Sequence, residues 1–140
     1  MKKKEQTPGI LAIIKRDNKF LFTKRSSKSR FEPGKWGFVG EALLFGEDII
    51  DGLKRGIKEE VNLDLKSWDF FNVYSYVFDS DDKTRHTVLI AYICECEGEV
   101  RLNRESEDYK WFTVEEGKGL NLIKGNDDVV KDLEKFFNNS

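Results

Sequence analysis

Glu59 and Glu60 stand side by side in the stretch LKRGIKEEV, residues 53–61, with Arg55 and Gly56 one turn before them and Leu63 just after. Positions 56, 59, 60 and 63 lie three or four residues apart, a spacing that gathers them on one face of a helix. Carboxylates on such a face can collect hard divalent cations. Magnesium takes one or two of them and fills its other positions with water and phosphate oxygens. A cation held in that way can neutralise phosphate charge and activate a bound water. On an otherwise featureless helix, two adjacent glutamates are solvated charges and nothing more. Gly56 sharpens the question, because an interior helical glycine costs about 1 kcal/mol relative to alanine.

The elements around this stretch can be read from periodicity. From Glu47 to Val61 the apolar residues Ile49, Ile50, Leu53, Ile57 and Val61 follow helical spacing, which predicts a helix with Ile49, Leu53 and Ile57 buried opposite the acidic residues. GILAIIKRDNKFLFTKR reads as two apolar strands around the turn RDNK, and KWGFVG as a short aromatic strand in which Trp36 and Phe38 are expected in the core. WDFFNVYSYVF and TRHTVLIAYICECE are β-rich runs separated by the polar cluster DSDDK, a second hairpin. DYKWF is a further strand. Thr113 and Glu116 have capping-box spacing, and Val129, Val130, Leu133, Phe136 and Phe137 mark a last helix from Asn126 to Phe137. Strands, helix, strands, helix predict a mixed sheet with helices on its faces.

Bulk properties narrow the function classes. The 140 residues suggest one domain spanning 1–140, large enough for a real core, and a net charge of -2 excludes a nucleic-acid binder that depends on a broad basic field. The basic start MKKK is followed by an apolar run of six residues, GILAII, short of a secretory signal and far short of a membrane span. A cytoplasmic location is therefore expected, with no membrane partner. Cys94 and Cys96 alternate on a strand and share a face, and with one histidine in the chain they make a poor zinc set; they read as small apolar residues.

The region from Gly40 to Leu63 resembles the Nudix hydrolase family, whose box is G-x5-E-x7-R-E-U-x-E-E-x-G-U with U a bulky aliphatic residue. Glu47, Arg55, Ile57, Glu59, Glu60 and Leu63 match it in place, and the flanking KR, KWGFVG and ESEDYKWF are similar to the family as well. The resemblance implies a Nudix-type α/β/α sandwich and a MutT-related pyrophosphohydrolase. Its implied activity is magnesium-dependent (or manganese-dependent) hydrolysis of a nucleoside diphosphate linked to another group. It implies Glu59, Glu60 and the Gly40 carbonyl as metal ligands, Glu47 with Arg55 as a supporting pair, and Lys24 and Arg25 as residues facing phosphate. The expected partner is a small nucleotide; oligomeric state stays open, with a homodimer admitted.

Three positions depart from the box. Glu41 stands where it opens with glycine, Gly56 replaces the glutamate after Arg55, and Asn62 replaces the late glycine, a mild change because asparagine tolerates the left-handed conformation that ends helices. The family uses the glutamate at position 56 as a metal ligand. The GDP-mannose mannosyl hydrolase branch also lacks it, attacks the sugar carbon in place of phosphorus, and uses a base outside the box. Here Glu105, Glu107 and Asp108 are the candidate bases, with Glu107 grouped among the catalytic residues and His86 a more remote alternative. Gly52 and Gly56 form a small-residue stripe that would let a neighbour approach closely. Leu43, Leu44 and Phe45 form an apolar run suited to an interface or a pocket wall. The rival to hydrolysis is a nucleotide-sensing or protein-binding module on the same fold.

Overall fold

In the run GILAII every residue from Ile10 to Ile14 is buried, although a strand with one wet face would alternate. The strand is central, covered on both sides. The computed structural model describes residues 2–80 and 82–138, the side chain of residue 138 excepted. In chain order the elements are β1 (Lys3–Arg16), β2 (Lys19–Arg25), β3 (Trp36–Gly37), β4 (Val39–Ala42), α1 (Ile49–Val61), β5 (Asp64–Asp79), β6 (Lys83–Glu97), β7 (Ser106–Phe112), α2 (Val114–Gly117) and α3 (Asn126–Asn138).

β1 pairs in parallel with β6, from Lys3 opposite Lys83 to Ile14 opposite Cys94, and β5 extends this sheet antiparallel to β6. On its other edge β1 pairs antiparallel with β4, where Ile10 faces Glu41 and Leu11 faces Gly40. β2 carries β7 on one side and β3 on the other, and joins β1 through the turn at Asp17, whose φ of 57° is left-handed.

The alternation of β1 divides the core. Ile10, Ala12 and Ile14 pack with Leu53, Ile57 and Val61 of α1. Leu11 and Ile13 pack with Val129, Val130 and Leu133 of α3. One helix therefore lies on each face of a mixed sheet, the expected α/β/α arrangement. Among the described residues no helix is long and apolar enough to cross a membrane.

Several local expectations are met. Asn62 ends α1 with φ 63°, donating its N–H to the Lys58 carbonyl, and Thr113 and Glu116 form both bonds of the capping box. Cys94 is buried, Cys96 packs against the same cluster, and both are free thiols. Others are corrected. α1 begins at Ile49, because Asp48 caps it by accepting from Ile50 N at 3.2 Å; Glu47 lies outside. Ile49 is 36% exposed and not buried. Ile50 packs against the core there instead. KWGFVG is two strands with different partners, Phe38 buried and Trp36 only partly so. β1 also starts six residues before GILAII, because the polar segment Lys3–Pro8 finds a parallel partner in Lys83–Val88.

Candidate active site

The face that α1 turns inward carries Gly52, Leu53, Gly56, Ile57, Glu60 and Val61, so one carboxylate sits on a buried stripe. Glu60 is 9% exposed, and its Oε2 has no hydrogen-bond partner. A buried, unpaired carboxylate oxygen is costly unless something else completes it. Glu41 reaches toward it from β4, and Glu105 from the loop before β7. One oxygen from each of these three residues lies within 4.8 Å of the others.

The approach of Glu41 depends on Gly56. A Cβ at Gly56 would lie 2.8 Å from Glu41 Cβ and 3.1 Å from its Cγ. The Glu41 side chain thus occupies the space that any larger residue at position 56 would need.

Glu105 is held by its backbone. Its N–H donates to Asn103 Oδ1 at 3.0 Å, its carbonyl accepts from Ser26 N at 2.9 Å, and Asn103 Nδ2 donates to the Glu59 carbonyl at 3.1 Å. The loop is tied to β2 on one side and α1 on the other. Burial raises the Glu60 carboxyl well above the usual carboxylate range, and the nearby charges of Glu41 and Glu105 push it further. Burial also raises Glu41. Three carboxylates so close favour either protonation or a cation.

Arg55 does a different job. Its Nε donates to Glu47 Oε2 at 2.8 Å and its Nη2 to Glu47 Oε1 at 2.9 Å, a two-pronged pair. Nη2 also reaches the Ala42 carbonyl at 2.9 Å, and Glu47 Oε1 accepts from Leu44 N at 3.0 Å. The pair fastens the loop between β4 and α1 and so fixes Glu41 relative to the helix. The Arg55 bonds, with help from the Leu44 N–H, hold the Glu47 carboxyl down at about 2. Arg55 is raised in turn.

Glu59, expected beside Glu60 as a metal ligand, points elsewhere: its carboxylate takes Arg55 Nη1 at 3.0 Å and is largely exposed. Glu107 accepts from Ser27 N at 2.7 Å and lies 3.6 Å from Lys24 Nζ, so these two expected site residues hold each other at the surface. Asp108 accepts from Tyr109 N at 2.8 Å. Both ring nitrogens of His86 are engaged, with Gln6 at 3.0 Å and Ser75 at 2.8 Å. Of the candidate bases, the structure brings Glu105 alone into the carboxylate cluster. Leu43 packs on the core near Gly52, while Leu44 and Phe45 are exposed.

The cluster opens into a cavity of about 700 Å³, within the range of small-molecule sites. Gly40, Glu41, Glu60 and Glu105 line it, as do the cations Arg25 and Lys124. Arg25 is braced by Ser29 Oγ at 3.1 Å and the Phe31 carbonyl at 2.9 Å. Asn126, the first residue of α3, accepts from Phe38 N at 3.0 Å at the buried wall. Glu41 was visible in the sequence only as a departure from the box. The usable signal was that one carboxylate is gained at 41 while one is lost at 56.

The NUDIX domain family model matches residues 5–133. Nucleoside triphosphatase NudI of Escherichia coli O139:H28 (strain E24377A / ETEC) is 26% identical over 115 residues, covering 76% of this chain and 82% of that one. An 8-oxo-dGTP diphosphatase of Buchnera aphidicola subsp. Schizaphis graminum is 26% identical over 127 residues, covering 91% and 92%. The crystal structure of a MutT NUDIX hydrolase from Burkholderia pseudomallei superposes with a TM-score of 0.81 at 23% identity, covering 92% of this chain and 98% of that one. The family match over nearly the whole chain, the shared fold and the Glu47–Arg55 lock agree, and the chain belongs to the Nudix hydrolase family.

Proposed function

We propose that this chain is a magnesium- or manganese-dependent hydrolase of a nucleoside diphosphate linked to a further group, cleaving at phosphorus, with nucleoside triphosphates as the first substrates to test. The observation that carries this reading is the unpartnered Glu60 Oε2 at the edge of a cavity that also presents Arg25 and Lys124. The names of the two curated relatives, a nucleoside triphosphatase and an 8-oxo-dGTP diphosphatase, favour the same substrate class.

The residues present fit a hard divalent cation: the donors are carboxylate oxygens, one of them buried without a partner. Glu60 would hold it, with Glu41, Glu105 and the Gly40 carbonyl at hand. When bound, such a cation supplies charge neutralisation for the phosphates and lowers the pKa of a bound water. Arg25 and Lys124 bind phosphate oxygens and offset their charge. The Glu105 carboxylate, which its tethered loop holds at the cluster, helps to hold the cation and orients the attacking water. Glu47 and Arg55 touch no reacting atom and act as positioning residues.

The test is a panel of nucleoside triphosphates, 8-oxo-dGTP among them, and of nucleotide sugars, incubated with magnesium in water enriched in heavy oxygen. Cleavage at phosphorus places the label on a phosphate product. Label on a released sugar would replace this reading with attack at carbon. No turnover of any member would refute hydrolysis and favour the binding-module alternative.

A further inference from the structure

Gly56 and Glu41 depart from the box in opposite senses, and they meet in space. The residue at 56 gives up its side chain, and the carbon atoms of Glu41 fill the place it leaves, 2.8 and 3.1 Å from a hypothetical Cβ. Glu41 is anchored on β4, hydrogen-bonded in register with Ile10, so its direction is set by the sheet. From there its carboxylate reaches Glu60 on α1 and Glu105 on the opposite loop.

We propose that the divalent-cation site of this chain is built from Glu41, Glu60 and Glu105, with a carboxylate carried by strand β4 and admitted through the notch at Gly56, in place of one carried by helix α1. Two independent observations support it. The three carboxylates converge with oxygens within 4.8 Å, and Glu60, a residue 9% exposed that belongs to the cluster, has an Oε2 that receives no hydrogen bond from any donor group. Without a cation, only a proton shared between Glu41 and Glu60 would relieve the crowding of these carboxylates. The donor set is three hard, anionic oxygens, which suits magnesium or manganese and leaves further positions for water and phosphate. Glu59, paired with Arg55 at 3.0 Å, is not among the three converging carboxylates.

This inference deepens the proposed hydrolase function and rests on it for the role of the cation, but not for its binding. The decisive measurement is therefore binding. Manganese is titrated into the whole chain without nucleotide, and free manganese is followed by electron paramagnetic resonance. Glu41→Gln keeps the shape that fills the Gly56 notch and removes only the charge. It is expected to weaken manganese binding about tenfold or more, and Glu60→Gln is expected to do the same. Exchanging the pair, Glu41→Gly with Gly56→Glu, returns the carboxylate to the helix and is expected to bind manganese more tightly than Glu41→Gly alone. Circular dichroism and thermal melts establish that each variant is folded.

Wild-type affinity in Glu41→Gln, with affinity lost in Glu60→Gln, would overturn the inference and leave the hydrolase reading intact. An exchanged pair that binds no better than Glu41→Gly would also overturn it. Weakened manganese binding in Glu41→Gln, in a chain that turns over no nucleotide, would uphold the site and refute the hydrolase reading.

Discussion

Replacing Gly56 by alanine sets two known effects against each other. In an ordinary helix interior the change stabilises by about 1 kcal/mol. Here the new methyl would sit 2.8 Å from Glu41 Cβ, 3.1 Å from Glu41 Cγ and 3.5 Å from Ile10 Cδ1. Glu41 Cβ cannot swing aside, because it is fixed by a backbone paired with β1. Relief requires α1 to lift from the sheet, away from the packing of Leu53, Ile57 and Val61 on Ile10, Ala12 and Ile14. Overpacking of this kind costs about 1–3 kcal/mol, so the net effect of Gly56→Ala is a loss of roughly 0–2 kcal/mol. In a Glu41→Gly background both close atoms are absent, and the same change should now stabilise by about 1 kcal/mol. The two positions should therefore couple by roughly 1–3 kcal/mol in a double-mutant cycle. Urea denaturation of the four proteins with chelator present measures this without a contribution from bound metal. A single Gly56→Ala variant about 1 kcal/mol more stable than wild type, or a cycle that closes additively, would refute the packing argument.

Leu53→Ala should cost about 2–5 kcal/mol while Ile49→Ala costs well under 1 kcal/mol, a contrast that urea denaturation of the two variants would expose or erase. The Glu47 carboxyl sits at about 2 when folded against an ordinary 4.5, so the unfolded chain binds more protons between those values. Stability should be full above pH 4.5 and fall as the pH drops toward about 2, and Glu47→Gln should flatten that limb in a pH series of thermal melts. Glu60 has the opposite sign: its raised carboxyl makes the folded chain bind more protons than the unfolded one above 4.5. Metal-free stability should decline as pH rises from there, and a metal-free Glu60→Gln variant that declines as steeply would count against the crowding.

Much of this architecture can be read from local pattern. The stripe Leu53, Ile57, Val61 placed α1 on the sheet, the capping box placed α2, and Asn62 marked the end of α1, because each depends on residues within a turn or two of one another. The Glu47–Arg55 pair was legible through spacing alone. What escaped depends on long-range approach. Polar Lys3–Pro8 carries no strand pattern and becomes strand only because β6 pairs with it. Glu105 rather than Glu107 enters the cluster because Asn103 and Ser26 fix the path of the loop, which alternating carboxylates cannot reveal. Ile49 fits the stripe yet stays exposed, while Ile50 packs on the core. Glu41 acquires meaning only once β4 is known to lie across Gly56.

The parallel partnership of β1 and β6 also sets the order in which this chain can fold. Lys3 pairs with Lys83 and Ile14 with Cys94, so the central strand waits for its parallel partner, which lies far along the sequence. At roughly 5–20 residues per second of synthesis, that wait is on the order of 4–16 s. The hairpin of β5 and β6 can close from neighbouring residues, but β1 must be captured across a long loop, the slow kind of contact. Meanwhile β4 can pair one edge of GILAII, but its other edge and its two apolar faces stay uncovered, which is how nascent strands aggregate. The charges that bracket it, Lys3, Lys4 and Glu5 before and Lys15, Arg16 and Asp17 after, act as gatekeepers during that interval.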